Sequence, residues 1–339
     1  MACKFPMALD INTGQILRYD ECKQKLAAAS DLYGKIPQKA ILNTGIKLIP
    51  CGRCTECKLA YASMWATRCT LESMQWEENW FVTLTYEPGE VPIKNKITGE
   101  LVRGEAGEIH GDLVLSSPTL YKKDVQDFLK RLRDHIKQRD GEPVRYYMCG
   151  EYGTLNARPH YHLIIFNLHL QDLTFYKLNN QKEPLFNSET MEKLWGHGFV
   201  VIGQVNWNTC SYVARYVMKK ATGDGKEHYK QLGMLPEYTN MSLKPGIGEI
   251  YYQLNKEQIY QLDELILPDG KRVRPPRYYD KKYGEEEPEV MMKIKERREY
   301  IQKQNIKTKM QKSTESYWEQ LKKEHEARQA AYKTLVRNL

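Results

Sequence analysis

Residues 144–150 (VRYYMCG) and 161–167 (YHLIIFN) are dense in β-branched and aromatic side chains. Such runs suit the pleated, half-buried surface of a sheet. The join between them, Tyr152-Gly-Thr-Leu-Asn-Ala-Arg-Pro159, carries residue types that reverse a chain. It is too short for the crossover that parallel neighbours need, so the two strands are expected to pair as an antiparallel hairpin. Trp80-Phe-Val-Thr-Leu-Thr-Tyr86 and residues 199–205 add two further strands. Helices are expected at about 58–79, 119–139, 187–197 (ending at Gly196) and 209–220. In the second of these, Val125, Phe128, Leu129, Leu132 and Ile136 recur at helical spacing. Residues 87–117 read as a surface loop or hairpin with a turn at Thr98-Gly99, and residues 221–284 as mixed structure. The pattern predicts an α+β fold, a central antiparallel sheet with flanking helices on one face, not a doubly wound parallel sheet. The expected division is an N-terminal segment with a cysteine cluster and a helix (1–79), a core (80–284) and a charged helical or partly disordered tail (285–339).

Composition narrows the function. The chain has 339 residues, a net charge of +8 and 23 Tyr against 7 Phe. A basic balance is compatible with a polyanion partner, and tyrosine suits wet aromatic surfaces. At 28% charged residues and 41% hydrophobic ones, wholesale disorder is excluded. No apolar run approaches the ~20 residues of a membrane-spanning helix. The start, MACKFPMALD, lacks the charged-then-apolar pattern of a signal peptide. A cytoplasmic setting is therefore expected, with reduced cysteines that serve metal binding or packing.

Chemistry concentrates in Pro159-His160-Tyr161-His162. On a strand, positions i and i+2 share a face, so His160 and His162 present two imidazoles together. Alone, such a pair is more often just hydrogen-bonded on a polar sheet face. Glu151 ends the preceding strand and can lie across the hairpin from them. Two imidazoles and a carboxylate leave coordination positions open, as a catalytic metal requires. A second cluster, Ser211-Tyr212-Val-Ala-Arg215-Tyr216-Val-Met-Lys219-Lys220, puts two tyrosines one helical turn apart with cations beside them. Together the clusters suggest a metal-polarised DNA phosphate attacked by a tyrosine hydroxyl, with Lys219 and the metal stabilising the developing charge.

These motifs resemble the HUH endonuclease superfamily, and more closely the replication initiators of small single-stranded DNA phages, the gokushovirus group of microviruses. The resemblance extends over most of residues 50–284. It is carried by Pro50-Cys51-Gly52-Arg53-Cys54, Phe81-Val-Thr-Leu-Thr-Tyr86, Phe128-Leu-Lys-Arg-Leu-Arg133, Cys149-Gly-Glu-Tyr-Gly153 and Arg158-Pro-His-Tyr-His162. Leu194-Trp-Gly-His-Gly-Phe199, Tyr212-Val-Ala-Arg-Tyr-Val-Met-Lys-Lys220, Met241-Ser-Leu-Lys-Pro-Gly-Ile-Gly248 and Pro276-Arg-Tyr-Tyr279 complete it. It implies a rolling-circle initiator with an RNA-recognition-motif-like sheet. Such an enzyme nicks origin DNA through a 5′-phosphotyrosine and later rejoins the ends into a circle in the host bacterial cytoplasm. His160, His162 and Glu151 would bind Mg2+ or Mn2+, with Tyr212 and Tyr216 as nucleophiles. Tyr216 is slightly favoured as first attacker, because Lys219 follows it by three residues, where Tyr212 has Arg215. Tyr161, between the histidines, is expected to face the opposite side of the sheet.

Cys51, Cys54 and Cys57, with Cys69 as a fourth ligand, could hold a structural Zn2+; the alternative is thiols kept for packing. Lys130, Arg133, Arg158, Arg215 and Lys220 are candidate DNA contacts, which would give affinity without reading sequence. Tyr146-Tyr147 and Tyr278-Tyr279 either stack exposed bases or pack. His197 reads as a turn residue. The chain carries no G-x-x-x-x-G-K-[ST] loop, so a host helicase and a host polymerase are the expected partners on single-stranded and replicative-form origin DNA. Two other functions compete: a plasmid relaxase or transposase of the same chemistry, and a non-enzymatic single-stranded DNA-binding or packaging protein.

Overall fold

The computed structural model describes residues 3, 7–10, 12–17, 46–52, 54–95, 98–104, 116–139, 143–153, 157–219, 229–315 and 317–335. In chain order the first elements are β1 (Met7–Asp10), β2 (Ile16–Leu17), β3 (Ile46–Ile49), α1 (Thr55–Ser73) and β4 (Asn79–Tyr86). Next come β5 (Val91–Asn95), β6 (Leu101–Gly104), β7 (Ser116–Pro118), α2 (Lys122–Arg139), β8 (Arg145–Tyr152) and β9 (Pro159–Phe166). There follow β10 (Thr174–Leu178), β11 (Pro184–Asn187), α3 (Glu189–Trp195), β12 (Gly198–Gln204), α4 (Trp207–Lys219) and β13 (Tyr238–Met241). The last are α5 (Glu249–Leu262), β14 (Leu265–Ile266), β15 (Arg272–Val273), α6 (Arg277–Glu286), α7 (Pro288–Gln311) and α8 (Tyr317–Leu335).

The chain forms two compact units, Met1–Tyr61 with Asp280–Leu339, and Ala62–Tyr279. In the second, seven strands make one sheet in the order β10-β11-β12-β4-β9-β8-β13, and every neighbouring pair is antiparallel. The expected hairpin is its centre, with Glu151 opposite His160 and Cys149 opposite His162. β4 pairs with the other edge of β9, setting Thr85 opposite His160 and Thr83 opposite His162.

Strand alternation then sorts the side chains onto two faces. One carries Val82, Leu84, Tyr146, Met148, Tyr161, Leu163, Ile165, Val200 and Ile202, all buried against Phe128, Leu132, Met191 and Trp195 of α2 and α3. Burying so continuous an apolar surface supplies most of the drive to fold. Tyr161 does face this side: its hydroxyl donates to the Tyr121 carbonyl at 3.0 Å and lies 3.2 Å from that of Tyr86. The opposite face carries His160 and His162 and is covered by α4, which packs on β8, β9 and β13. Trp65 of α1 stacks on Tyr147 on this side, with ring centroids 5.0 Å apart. Helices therefore lie on both faces, which corrects the one-face expectation. The apolar stripe of α2 announces a packing role in the sequence, whereas the tyrosines and cations of α4 mask its role as a cover.

Local signals account for most element ends. Ser188 caps α3 by accepting from Met191 N at 3.1 Å, and Gly196 ends that helix at φ +70°. Residues 87–117 contain the β5–β6 hairpin, turned at Gly99 with φ +74°. Helix α5, buried through Tyr252, Ile259 and Tyr260, and the β10–β11 hairpin lie in stretches without a decisive pattern. The two tyrosine pairs pack rather than await bases. Tyr147 is buried under Trp65, and the Tyr279 hydroxyl donates to Gly248 O at 2.5 Å. Arg68 lies over the Tyr278 ring at 4.0 Å and donates to Ile247 O at 2.9 Å, so two of the quoted motifs lock together.

In the first unit, β2-β1-β3 form a small antiparallel sheet. The charged tail is helical, as α7 and α8. Arg298 of α7 grips both carboxylate oxygens of Asp280, at 2.7 and 3.0 Å. None of the described helices is long and apolar enough to cross a membrane.

Candidate functional site

Glu151, His160 and His162 converge because their positions are register neighbours on one sheet face. Glu151 Oε1 lies 2.6 Å from His160 Nε2 and 2.9 Å from His162 Nε2. The imidazoles stand nearly perpendicular, at 89°. Glu151 and His162 are buried, with side chains 3% and 7% exposed, while His160 at 19% opens the cluster to solvent. Burial pushes the Glu151 carboxyl up, but hydrogen bonds to both imidazoles outweigh it and hold the group at about 2. It is an anion throughout the neutral range.

The outer nitrogens fix the rings. His160 Nδ1 lies 3.1 Å from the Arg158 carbonyl, which can only accept, so this nitrogen carries a hydrogen. In a neutral ring Nε2 then turns a lone pair toward a carboxylate oxygen. Two acceptors at 2.6 Å are satisfied by protonating the ring or by a cation that both can bind. His162 Nδ1 is held by Thr83 Oγ1 at 3.0 Å, the kind of outer partner that orients metal-binding histidines. Adjacent donors on an octahedral ion such as Mg2+ lie about 3 Å apart, close to the separations seen. All three donor atoms fall within 4.8 Å of one another. The residues thus fit a divalent cation with positions left for a ligand.

Tyr212 of α4 reaches the same cluster. Its ring stands edge-on to His162, with centroids 5.2 Å apart at 84°, and edge-on to Phe81 at 6.0 Å. Phe81 in turn stacks on His162 at 5.6 Å with an interplanar angle of 9°. The side chains of Tyr216 and Lys219, and all of Lys220, lie outside the described residues.

The expected DNA-contact residues separate. Arg158 adjoins His160, and its Nε is buried without a hydrogen-bond partner, as is that of Arg215 on α4. Lys130 and Arg133 belong to α2, on the other face of the sheet, and Arg133 lies over the Tyr146 ring at 5.5 Å. They do not join the cluster, because α2 must turn its apolar stripe to the side of Tyr161. His197 does more than turn the chain: its Nδ1 lies 2.9 Å from Glu90 Oε2.

Three residues carry no signal that sequence reasoning could use. Thr83 is one strand residue among many. Phe199 is 56% exposed on the cluster's face, in register with Thr85, which pairs with His160. Cys3 joins Cys51, Cys54 and Cys57 in a second group of converging donors. Cys69 does not, which corrects the expected fourth ligand. It is fully buried 12 residues beyond Cys57 on α1, a rise of about 18 Å along a helix.

A family model for the replication-associated protein ORF2 matches residues 79–221, the span from β4 to just beyond α4. The chain is 31% identical over 297 residues to replication-associated protein ORF2 of Spiroplasma virus 4, covering 86% of this chain and 85% of that one. It is 31% identical over 278 residues to replication-associated protein VP4 of Bdellovibrio phage phiMH2K, covering 80% and 77%. With replication-associated protein ORF4 of Chlamydia phage 1 it shares 25% identity over 242 residues, covering 68% and 52%. No solved structure matches significantly. These matches agree with the resemblance carried by the motifs, and the chain belongs to the family of phage replication-associated proteins.

Proposed function

We propose that this protein starts phage genome replication in the host cell by nicking one DNA strand with a tyrosine nucleophile and later rejoining the ends. The observation that carries this is the convergence of Glu151, His160 and His162 on one point with Tyr212 edge-on at His162.

A divalent cation held by the three donors, Mg2+ or Mn2+, would supply Lewis-acid polarisation of a phosphate oxygen. The Tyr212 oxygen attacks phosphorus, its proton leaves to solvent, and the P–O3′ bond breaks. The phosphate then joins the tyrosine and the 5′ side of the nick, and the departing 3′ oxygen takes up a proton. One phosphoester bond replaces another, so the free 3′-hydroxyl can reverse the step without a nucleotide cofactor. Glu151, held at about 2, is too acidic to serve as the base, and its contribution is charge and position. Arg158 and Arg215 have guanidinium nitrogens to offer a phosphate. Tyr216, one turn along α4, is suited to a second cleavage, with Lys219 beside it in sequence. Tyr212 is favoured as first attacker because its ring is seated against the donor cluster, in place of the preference for Tyr216 drawn from Lys219. A host helicase and a host polymerase would open the duplex and extend the 3′ end.

The test mixes the full chain with an origin-containing oligonucleotide and Mn2+. A denaturation-resistant covalent adduct is expected, and its mass map should place the DNA on Tyr212. Tyr212→Phe with Tyr216→Phe should abolish the adduct and leave DNA binding intact. If the wild-type protein binds the oligonucleotide but never forms an adduct, the non-enzymatic reading replaces this one.

A further inference from the structure

We propose that Cys3, Cys51, Cys54 and Cys57 form a four-thiolate site for one structural Zn2+, separate from the Glu151 cluster. Their sulfurs all lie within 4.8 Å of one another. Cys3 Sγ is 3.8 Å from Cys54 Sγ, and Cys51 Sγ is 3.9 Å from Cys57 Sγ. A tetrahedral zinc with bonds of ~2.3 Å sets its sulfurs about 3.8 Å apart along each edge. A disulfide would bring a pair to about 2.05 Å. An iron–sulfur cluster would hang each thiolate on a different iron and hold the sulfurs farther apart. The spacing is that of one ion.

The backbone is arranged for anionic sulfur. Cys51 N donates to Cys3 Sγ and Cys54 N to Cys51 Sγ, each at 3.3 Å. Cys54 immediately precedes α1 and Cys57 lies in its first turn, where the helix dipole favours negative charge. Three ligands come from one C-x2-C-x2-C turn, and the fourth comes from the start of the chain. On binding, the four thiols release their protons and the ion takes their place. Soft thiolates in a tetrahedron select zinc over Mg2+ or Mn2+, so the two sites take different metals.

The ion would also organise its unit. Glu56, between Cys54 and Cys57, is buried and lies 2.8 Å from His325 Nδ1 of α8. Fixing the first turn of α1 therefore fixes the surface on which the C-terminal helix rests. Binding free energy at such a site counts as folding free energy.

The experiment uses the full chain carrying His160→Ala and His162→Ala, purified reduced and without chelator. About one zinc per chain is expected, together with a cobalt form showing strong thiolate-to-metal absorption and the bands of a tetrahedral ion. Cys3→Ser should lose most of the zinc, and Cys69→Ser should keep it. Should Cys3→Ser fail to fold, native alkylation of the wild-type chain decides. Cys3, Cys51, Cys54 and Cys57 should be protected until a chelator is added, while Cys69 stays unreactive throughout. Absence of zinc, iron in its place, a cobalt spectrum without thiolate ligands, or free labelling of Cys3 in the metal-loaded chain would overturn the proposal.

Discussion

The Tyr212 ring stands edge-on to His162, with centroids 5.2 Å apart. This places one phenol, out of the 23 tyrosines of the chain, beside the donor cluster. Tyr212→Phe should therefore cut the first cleavage by ~10³-fold or more, the scale of losing a covalent nucleophile. Tyr216→Phe should leave the first adduct and impair the second transfer. Single-turnover cleavage with mass mapping separates the two, and an adduct retained in full by Tyr212→Phe refutes the assignment.

Thr83 holds His162 Nδ1 at 3.0 Å without reaching the donor point itself. Thr83→Val keeps the strand and removes that partner. Outer-partner losses of this kind cost roughly 10- to 100-fold in metal affinity. Cleavage titrated with Mn2+ should shift to higher concentration by that factor, with DNA affinity unchanged. An unshifted titration removes Thr83 from the positioning role.

Phe199 offers an exposed ring on the cluster's face. Stacking on one base is worth ~1–3 kcal/mol, so Phe199→Ala should weaken single-stranded DNA binding by roughly 5- to 150-fold. Fluorescence anisotropy measures this, and the melting temperature should hardly move because the ring is not part of the core. Unaltered affinity would mean that DNA takes another path.

Gly198 is a backbone requirement. At φ +134°, an added Cβ would sit 2.3 Å from Glu87 N and 2.8 Å from Thr85 O. Gly198→Ala must displace β12 from β4, at a cost of about 2–5 kcal/mol from strain and overpacking together. Urea denaturation should show a lower midpoint, and a wild-type midpoint would contradict the close approach.

Asp172 gives a pH signature. Burial raises its carboxyl, but hydrogen bonds from Thr190 N at 2.8 Å and from Ser188 Oγ at 2.7 Å bring it below its ordinary value of 3.8. A folded pKa below the unfolded one stabilises above the unfolded value and is lost as pH falls through the folded one. The wild type should exceed Asp172→Asn in stability at pH 7, and the gap should close below about pH 4. Denaturation midpoints across pH 7 to 2.5 test this, and a gap independent of pH rules out the carboxylate as its source.

The donor cluster is legible because its signals are local. His160 and His162 are two apart on a strand, and Glu151 sits at the hairpin's other arm, so the period of two and one tight join bring them together. The helix carrying Tyr212 is legible from its 3.6-residue period, and the α3 caps from Ser188 and Gly196. Lys130 and Arg133 are not placed by sequence, because a charge has no period that reveals which face of the sheet its helix will cover.

The antiparallel hairpin, the three donors and the two tyrosines on one helix can be read from the linear chain, since each follows from side chains a few residues apart. Three-dimensional packing alone has Thr83 orient His162, turns Tyr212 to the cluster, and makes Cys3 rather than Cys69 complete the thiol group. Those choices depend on strand register and on closing loops of tens of residues, whose cost varies only slowly with length. Spacing along the chain therefore carries almost no information about them, and the fit of one buried surface against another settles them.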